Sequence, residues 1–317
     1  MQGARSEAPR LLVTGASGFL GGHVAALATR GWQVYGTWHS QAFHLPGVRA
    51  VRLDLCDPQA LRRTLDEVMP HIIVHCAALT DLDYCETHAE EAQVVNVRAA
   101  QLLAQWCGDR GLRFVFVSSD MVFDGSKGHY AESDPVNPIN VYGATKVEGE
   151  EVVRAHCANY VIARSALIYG RPRTGGSSFS TWIEQRLAAA QPVPLFTDQF
   201  RTPILVSELA AALLELCAHS WVGVVHLAGP ERVDRFTFGV QLARLLRFEE
   251  SLLQMRAMAH HHQVAPRPRD VSLRTELART LLSTPFHGVE RGLQLMITEG
   301  GPVQALEEGR TDPTPTA

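Results

Sequence analysis

Short apolar runs alternate with helix-spaced segments through the first half of the chain. LLVTG (11–15) is an unbroken apolar run of the kind buried on both faces of a parallel sheet. Residues 18–30 carry apolar positions at helical spacing and stop at Gly31. WQVYGTW (32–38) and VRAVRLDL (48–55) predict a second and a third strand. Pro58 opens a helix at its first turn, where a missing N–H costs nothing. HIIVHCAA (71–78) predicts a fourth strand, 86–108 one long helix, and LRFVFVSS (112–119) a fifth strand. A helix over 141–158 and a sixth strand, YVIARSALIYG (160–170), follow. Strand–helix–strand repetition with short joins predicts an α/β fold built on a doubly wound parallel sheet.

Beyond Gly170 the rhythm loosens. GRPRTGGSS (170–178) reads as a flexible loop by composition. Helical patterns at 207–218 and 236–248 flank one further strand, VGVVHLAG (222–229). Residues 299–317 are polar, contain Gly and Pro, and predict a disordered tail.

The glycines of Thr14-Gly15-Ala16-Ser17-Gly18-Phe19-Leu20-Gly21 stand between the first strand and the first helix. Gly15 permits a tight turn, Gly18 lets backbone approach a pyrophosphate, and Gly21 lets helix pack on strand. The free N–H groups of the helix start then face the phosphates. This predicts dinucleotide binding. At the end of the second strand stand Trp38, His39 and Ser40, with no carboxylate to bond ribose hydroxyls. A 2′-phosphate meets no repulsion there. His39 and Ser40 can donate to it and Arg49 is nearby in sequence, so NADP is favoured over NAD. Asp54 ends the third strand where an adenine lies, whereas Asp57 is better placed to cap the helix at Pro58. The layout expected is a dinucleotide-binding domain over 1–170, rejoined by 200–230, with 171–298 mainly a smaller C-terminal substrate lobe.

Tyr142 and Lys146 sit at i and i+4, on one face of a helix. A phenol ionises near pH 10 unless its phenolate is favoured, and a neighbouring ammonium does that. Ser118 and Ser119 end the fifth strand, at the carboxyl edge where open α/β sheets bind ligands. A hydroxyl there can orient a carbonyl oxygen toward the phenol.

With these residues in place, the chain resembles the extended short-chain dehydrogenase/reductase superfamily over about residues 10–282. TGASGFLG, HCAALTDLDYCE, VVNVRAAQLLAQWC, FVFVSSDMVFDG, NPINVYGATKVEGE and ARSALIYG carry the resemblance. Within it the chain is most similar to the dTDP-4-dehydrorhamnose reductase group, as DQFRTP, GVVHLAGPERVDRFTFG and RPRDVSL also suggest. That group has a Rossmann fold and reduces a 4-keto sugar nucleotide with NADPH or NADH. The resemblance implies Tyr142 as general acid, Lys146 lowering its pKa and holding the nicotinamide ribose, and Ser119 polarising the keto group. It implies pyrophosphate contacts at Gly15, Ser17, Gly18, Phe19, Leu20 and Gly21. Asp54 and Leu55 are implied at the adenine, Ala77 and Ala78 along the cofactor, and Asn96 in support of the site backbone.

The chain also departs from the pattern. Dehydratases of this class carry Asp-Glu after the catalytic Thr, whereas here Asp120-Met121 follows Ser119, and Met cannot remove a proton. The rhamnose-forming reductases usually have Tyr in place of Met121 and Trp in place of Leu167, so the walls of the sugar site differ. Arg201 stands where many members place an arginine on the substrate diphosphate, although a surface arginine is as ready a reading. Arg267 and Arg269 are further basic candidates for that nucleotide. Two other functions fit the same resemblance. One is a sugar-nucleotide epimerase with tightly held NAD. The other is a non-catalytic NADP-binding partner like the regulatory beta subunit of methionine adenosyltransferase. The apolar helix over 141–153 suits a homodimer, as is common in the superfamily.

Composition narrows the classes. Of 317 residues, 46% are hydrophobic and 20% charged, enough apolar mass for a sizeable core. A net charge of −4 argues against a general nucleic-acid binder. The six cysteines form no C-x-x-C pair and read as reduced thiols, with no structural metal. His260, His261 and His262 are adjacent, cannot converge on one ion, and read as a solvated loop. MQGARSEAPR lacks the apolar core of a secretion signal, and no run approaches the ~20 apolar residues of a membrane span. A soluble cytoplasmic protein is expected.

Overall fold

The computed structural model describes residues 8–260 and 263–300. Six parallel strands come first: β1 (Arg10–Thr14), β2 (Gln33–Trp38), β3 (Val48–Arg52), β4 (Ile72–His75), β5 (Arg113–Ser119) and β6 (Tyr160–Ser165). Between them run α1 (Phe19–Ala28), α2 (Pro58–Val68), α3 (Leu82–Thr87), α4 (Ala89–Gln93), α5 (Ala99–Gly108) and α6 (Val141–His156). The chain then makes β7 (Ile168–Tyr169), α7 (Phe179–Ala188), β8 (Val193–Phe196), β9 (Phe200–Arg201) and β10 (Ile204–Leu205). It returns through α8 (Val206–Ala218) to β11 (Gly223–Leu227). It closes with β12 (Val233–Asp234), α9 (Arg235–Leu246), β13 (Leu253–Arg256), α10 (Glu276–Leu281) and α11 (Val289–Gly300).

The central sheet has the order β11-β6-β5-β4-β1-β2-β3. The chain runs outward from β1 in one direction and from β4 in the other. The reversal opens a crevice between β1 and β4 at their carboxyl ends. Side chains alternate across the sheet: Leu11 and Val13 join a core with α1 and α8, while Leu12 faces α2 and α5 in a second. A third core, with Tyr169, Phe179, Ile183, Leu195, Phe238 and Leu293, holds the lobe together. Ala278 and Leu282 pack into the first core, so the region around α10 also rejoins the sheet.

Three expectations change. The single helix over 86–108 is instead α3, ending at His88, then α4, a π-helical turn at Val94–Arg98, and α5. The sixth strand stops at Ser165, because its neighbours end opposite it, at Ser119 and Leu227, and leave nothing to pair with. Glu299 and Gly300 close α11 rather than open a tail. The remainder of that tail, 301–317, lies outside the described residues.

Candidate active site

The glycine loop is dictated by space. Gly15 has φ +70°, and a Cβ there would lie 2.9 Å from the Ala77 backbone. A Cβ on Gly21 would meet the Gly15 carbonyl oxygen at 2.2 Å. Gly18 caps α1 with no side-chain bond and no acid follows in the first turn, which leaves the leading N–H groups for an anion. The segment read as a flexible loop is fastened here: Thr174 Oγ1 donates to the carbonyls of Ala16 (3.2 Å) and Gly18 (3.0 Å), and Gly175 N donates to that of Ser17 (2.9 Å).

A cleft of about 510 Å³ opens from this loop along the carboxyl edge of the sheet. Gly15, Gly18, Phe19, Leu20, Gly21 and Ala78 line one half. Ser119, Asp120, Met121, Tyr142, Lys146, Leu167 and Arg201 line the other. Ala77 lies behind Gly15, and its N–H donates to Thr14 Oγ1 at 3.2 Å. His39, Ser40, Asp54 and Leu55 stand outside the cleft, past the ends of β2 and β3. There His39 Nε2 is 3.7 Å from Asp54 Oδ2. Asp57 caps α2, accepting from Gln59 N (2.8 Å) and Ala60 N (3.0 Å). Arg49 is not at that edge: it pairs mid-strand with Tyr35, donating to its hydroxyl at 2.8 Å. Arg52, opposite Trp38 and 5.6 Å from its ring, is the cation at the strand end.

Tyr142 is held by the start of α6. Asn140 caps the helix by accepting from Gly143 N at 2.8 Å, and Glu86 accepts from Val141 N at 3.0 Å. A Cβ on Gly143 would fall 2.3 Å from the Met121 carbonyl oxygen, so α6 starts directly on the turn after Ser119. Ser119 Oγ accepts from Met121 N (3.1 Å) and donates to Asp120 Oδ1 (3.2 Å). Ser118 is committed elsewhere, donating to Glu150 at 2.7 Å. Asn96 accepts from Leu79 N (2.8 Å) and donates to Leu79 O (3.1 Å) and Thr145 Oγ1 (3.0 Å). It thereby ties the loop after β4 to α6. The π turn at Val94–Arg98 carries it, a helix irregularity typical of functional regions.

Burial dominates the titration of the pair. It pushes the Tyr142 phenol well up, a hydrogen bond with Ser119 opposes this, and Asp120 adds to it. Burial, not a neighbouring charge, is the largest influence on the phenol. Lys146 itself is brought down to about 8 by burial, against Glu150 and Cys76, and lies 4.2 Å from the Phe116 ring centre. Tyr142 is therefore a protonated acid at neutral pH.

The arginines also sort differently from the sequence reading. Arg201 is 1% exposed, not a surface residue. It donates to the carbonyls of Phe200 (2.7 Å) and Pro268 (3.2 Å), and its Nε is 3.9 Å from Asp120 Oδ2. Arg267 bonds Ala265 O (3.0 Å) and pairs with Asp83 (3.1 Å), fastening the lobe to α3. Arg269 is exposed and contributes a carbonyl to Phe200 N at 2.8 Å. Sequence reasoning missed Arg235 and Phe179, which line the cleft beside Arg201. No group of His, Cys, Asp or Glu among the described residues could hold a metal, and His261 and His262 lie outside them. No helix among the described residues is long and apolar enough to cross a membrane.

A dinucleotide crevice that continues into a Ser–Tyr–Lys pocket is the arrangement of an extended short-chain dehydrogenase/reductase. Residues 9–301 match the RmlD substrate binding domain family, and the chain belongs to it, a family of dTDP-4-dehydrorhamnose reductase-like proteins. It is 36% identical over 265 residues to the "Probable low-salt glycan biosynthesis reductase Agl14" of Haloferax volcanii, covering 81% of this chain and 87% of the relative. It is 29% identical to methionine adenosyltransferase 2 subunit beta of Danio rerio, covering 89% of each. Its fold superposes with TM-score 0.82 on dTDP-4-dehydrorhamnose reductase from Bacillus anthracis in complex with NADP, at 24% identity, covering 92% of this chain and 99% of the other.

Proposed function

We propose that the protein is an NADP-preferring reductase of a keto group on a nucleotide-activated sugar, with Tyr142 as general acid. The observation that carries this reading is the shared cleft: the glycine loop and the Ser119–Tyr142–Lys146 set open into one space. The loop fits a dinucleotide, since side chains are excluded at Gly15 and Gly21 and α1 starts with uncapped N–H groups. Gly15, Ser17, Gly18, Phe19, Leu20 and Gly21 hold the pyrophosphate, Ala77 and Ala78 flank the nicotinamide half, and Lys146 holds its ribose. His39, Ser40 and Arg52 meet the 2′-phosphate, with Asp54 and Leu55 at the adenine. When bound, the reduced coenzyme supplies the hydride.

The chain's own residues do the rest. Ser119 Oγ turns from Asp120 to donate to the keto oxygen. Tyr142 gives its proton to the same oxygen, which becomes a hydroxyl as the carbon gains the hydride. The cationic Lys146 stabilises the phenolate left behind until solvent reprotonates it. Met121 and Leu167 present apolar walls to the sugar. The homodimer expected of α6 loses its basis, because Val141, Val147, Val152 and Val153 pack into the chain's own cores.

The relation to methionine adenosyltransferase 2 subunit beta favours a second reading, a dinucleotide-binding partner protein without turnover. A panel of keto sugar nucleotides with NADPH and NADH, followed by nicotinamide absorbance, separates the two. Consumption of NADPH, lost in Tyr142→Phe, supports the reductase. NADPH binding with no consumption, together with a stable complex with a larger enzyme, supports the partner protein.

A further inference from the structure

Arg235 is the cleft group that the proton transfer does not use. It opens α9, beside the cap Asp234, whose carboxylate accepts from Thr237 N (2.8 Å) and Thr237 Oγ1 (2.6 Å). The Arg235 side chain is 4% exposed, and its guanidinium carbon stands 4.5 Å from the Phe179 ring centre. Among the described residues it donates no hydrogen bond, and its buried Nη1 has no partner. A guanidinium is a planar fork of donors, and burying it unsatisfied is costly.

The charge around it is unbalanced as well. Burial and the neighbouring Arg201 press the guanidinium down to about 9, so it is still cationic at neutral pH. Arg267, the other cation acting on it, has its own partner in Asp83. Asp120 is the carboxylate acting on Arg235, and it already serves Arg201 and Ser119, while Asp270, which also acts on Arg201, is paired with Arg232. Arg235 therefore has only a share in Asp120, in a cavity wall continuous with Ser119.

We propose that Arg235 is the receptor for an oxyanion of the substrate, held in a bidentate guanidinium contact with Phe179 as its backing surface. Arg201, whose Nη1 and Nη2 are each turned to a backbone carbonyl, keeps Nε without a hydrogen bond and supplies mainly field. The inference rests on the reductase reading for the class of ligand. A nucleotide-activated sugar offers such an oxyanion at its diphosphate or, in a uronate, at a ring carboxylate.

The test is calorimetric titration of the full chain, loaded with NADP⁺, with UDP, dTDP, UDP-glucose and UDP-glucuronate. Wild type, Arg235→Gln and Arg235→Lys are compared. A diphosphate contact predicts that Arg235→Gln weakens every nucleotide by about 30-fold or more. A ring-carboxylate contact predicts that loss for UDP-glucuronate alone. In either case Arg235→Lys restores part of the affinity, and NADP⁺ binding and melting temperature hold. The proposal is overturned if wild type binds none of the anions, or if Arg235→Gln binds all of them as wild type does. It is equally overturned if NADP⁺ affinity and melting temperature fall along with the rest, the mark of a structural role. A protein that shows the expected pattern yet oxidises no NADPH keeps the anion receptor and loses the reductase reading.

Discussion

Two clusters of buried charge flank the end of β5, and they are completed differently. Behind Ser118, Glu150 accepts from Arg164 Nε (2.8 Å) and Nη2 (2.7 Å), from Arg154 (3.0 Å) and from Ser118 (2.7 Å). Burial alone would raise this carboxyl, but the Arg164 bonds and charge, with Ser118 and Arg154, hold it below its usual value. In front of Ser119, Asp120, Arg201 and Arg235 are as deeply buried. There Asp120 Oδ2 and Arg201 Nε, 3.9 Å apart, and Arg235 Nη1 have no hydrogen-bond partner. Burial prevails over the attractions, raising Asp120 and lowering both arginines. The first cluster is finished by the chain and joins α6 to β6. The second is left incomplete by the chain's own groups, a pattern typical of binding sites.

On this distinction, ligand binding and turnover answer mainly to changes in front of β5, and stability mainly to changes behind it. The largest effect is expected in front. Tyr142→Phe should lower turnover by about 10²–10⁴-fold, with NADPH affinity unchanged in a fluorescence titration. Behind the strand, Glu150→Ala strands two buried arginine contacts. It should cost about 3–5 kcal/mol in denaturant unfolding, while the folded fraction keeps its turnover at acid pH, where Lys146 stays cationic, and loses it earlier than wild type as pH rises.

Lys146 sharpens the contrast through pH. Its folded value of about 8 lies below the unfolded 10.5, so the unfolded chain binds more protons in that window and wild-type stability rises with pH across it. Lys146→Met removes the buried charge. It should stabilise the protein by about 3 kcal/mol below pH 8, lose that gain toward pH 10.5, and abolish turnover throughout. Asp57→Ala is the control far from both clusters. Loss of the α2 cap should cost about 1 kcal/mol and leave kinetics unchanged.

What the sequence disclosed was local. The strand-to-helix glycine turn, the Tyr142–Lys146 spacing and the apolar strands each fit within a few neighbouring residues, and the structure places them as read except for the early end of the sixth strand. The π turn around Asn96 was not legible, because helical periodicity continues across it while its cause, the Leu79 backbone and Thr145, comes from elsewhere. The arginines could not be ranked for the same reason. Arg267 finds Asp83 and Arg235 finds no hydrogen-bond partner among the described residues, and only the fold decides which. One signal for Arg235 was present: a cation in the first turn of α9 opposes the helix dipole, and such local conflicts concentrate at functional sites.

The most direct measurement follows the hydride itself. NADPH deuterated at its transferable position is incubated with a dTDP-4-keto-6-deoxy sugar, and the sugar product is weighed by mass spectrometry. The account predicts one deuterium on the new carbinol carbon, delivered by wild type and not by Tyr142→Phe. Tight coenzyme binding with no deuterium in any sugar, or equal labelling by the phenylalanine variant, would contradict it.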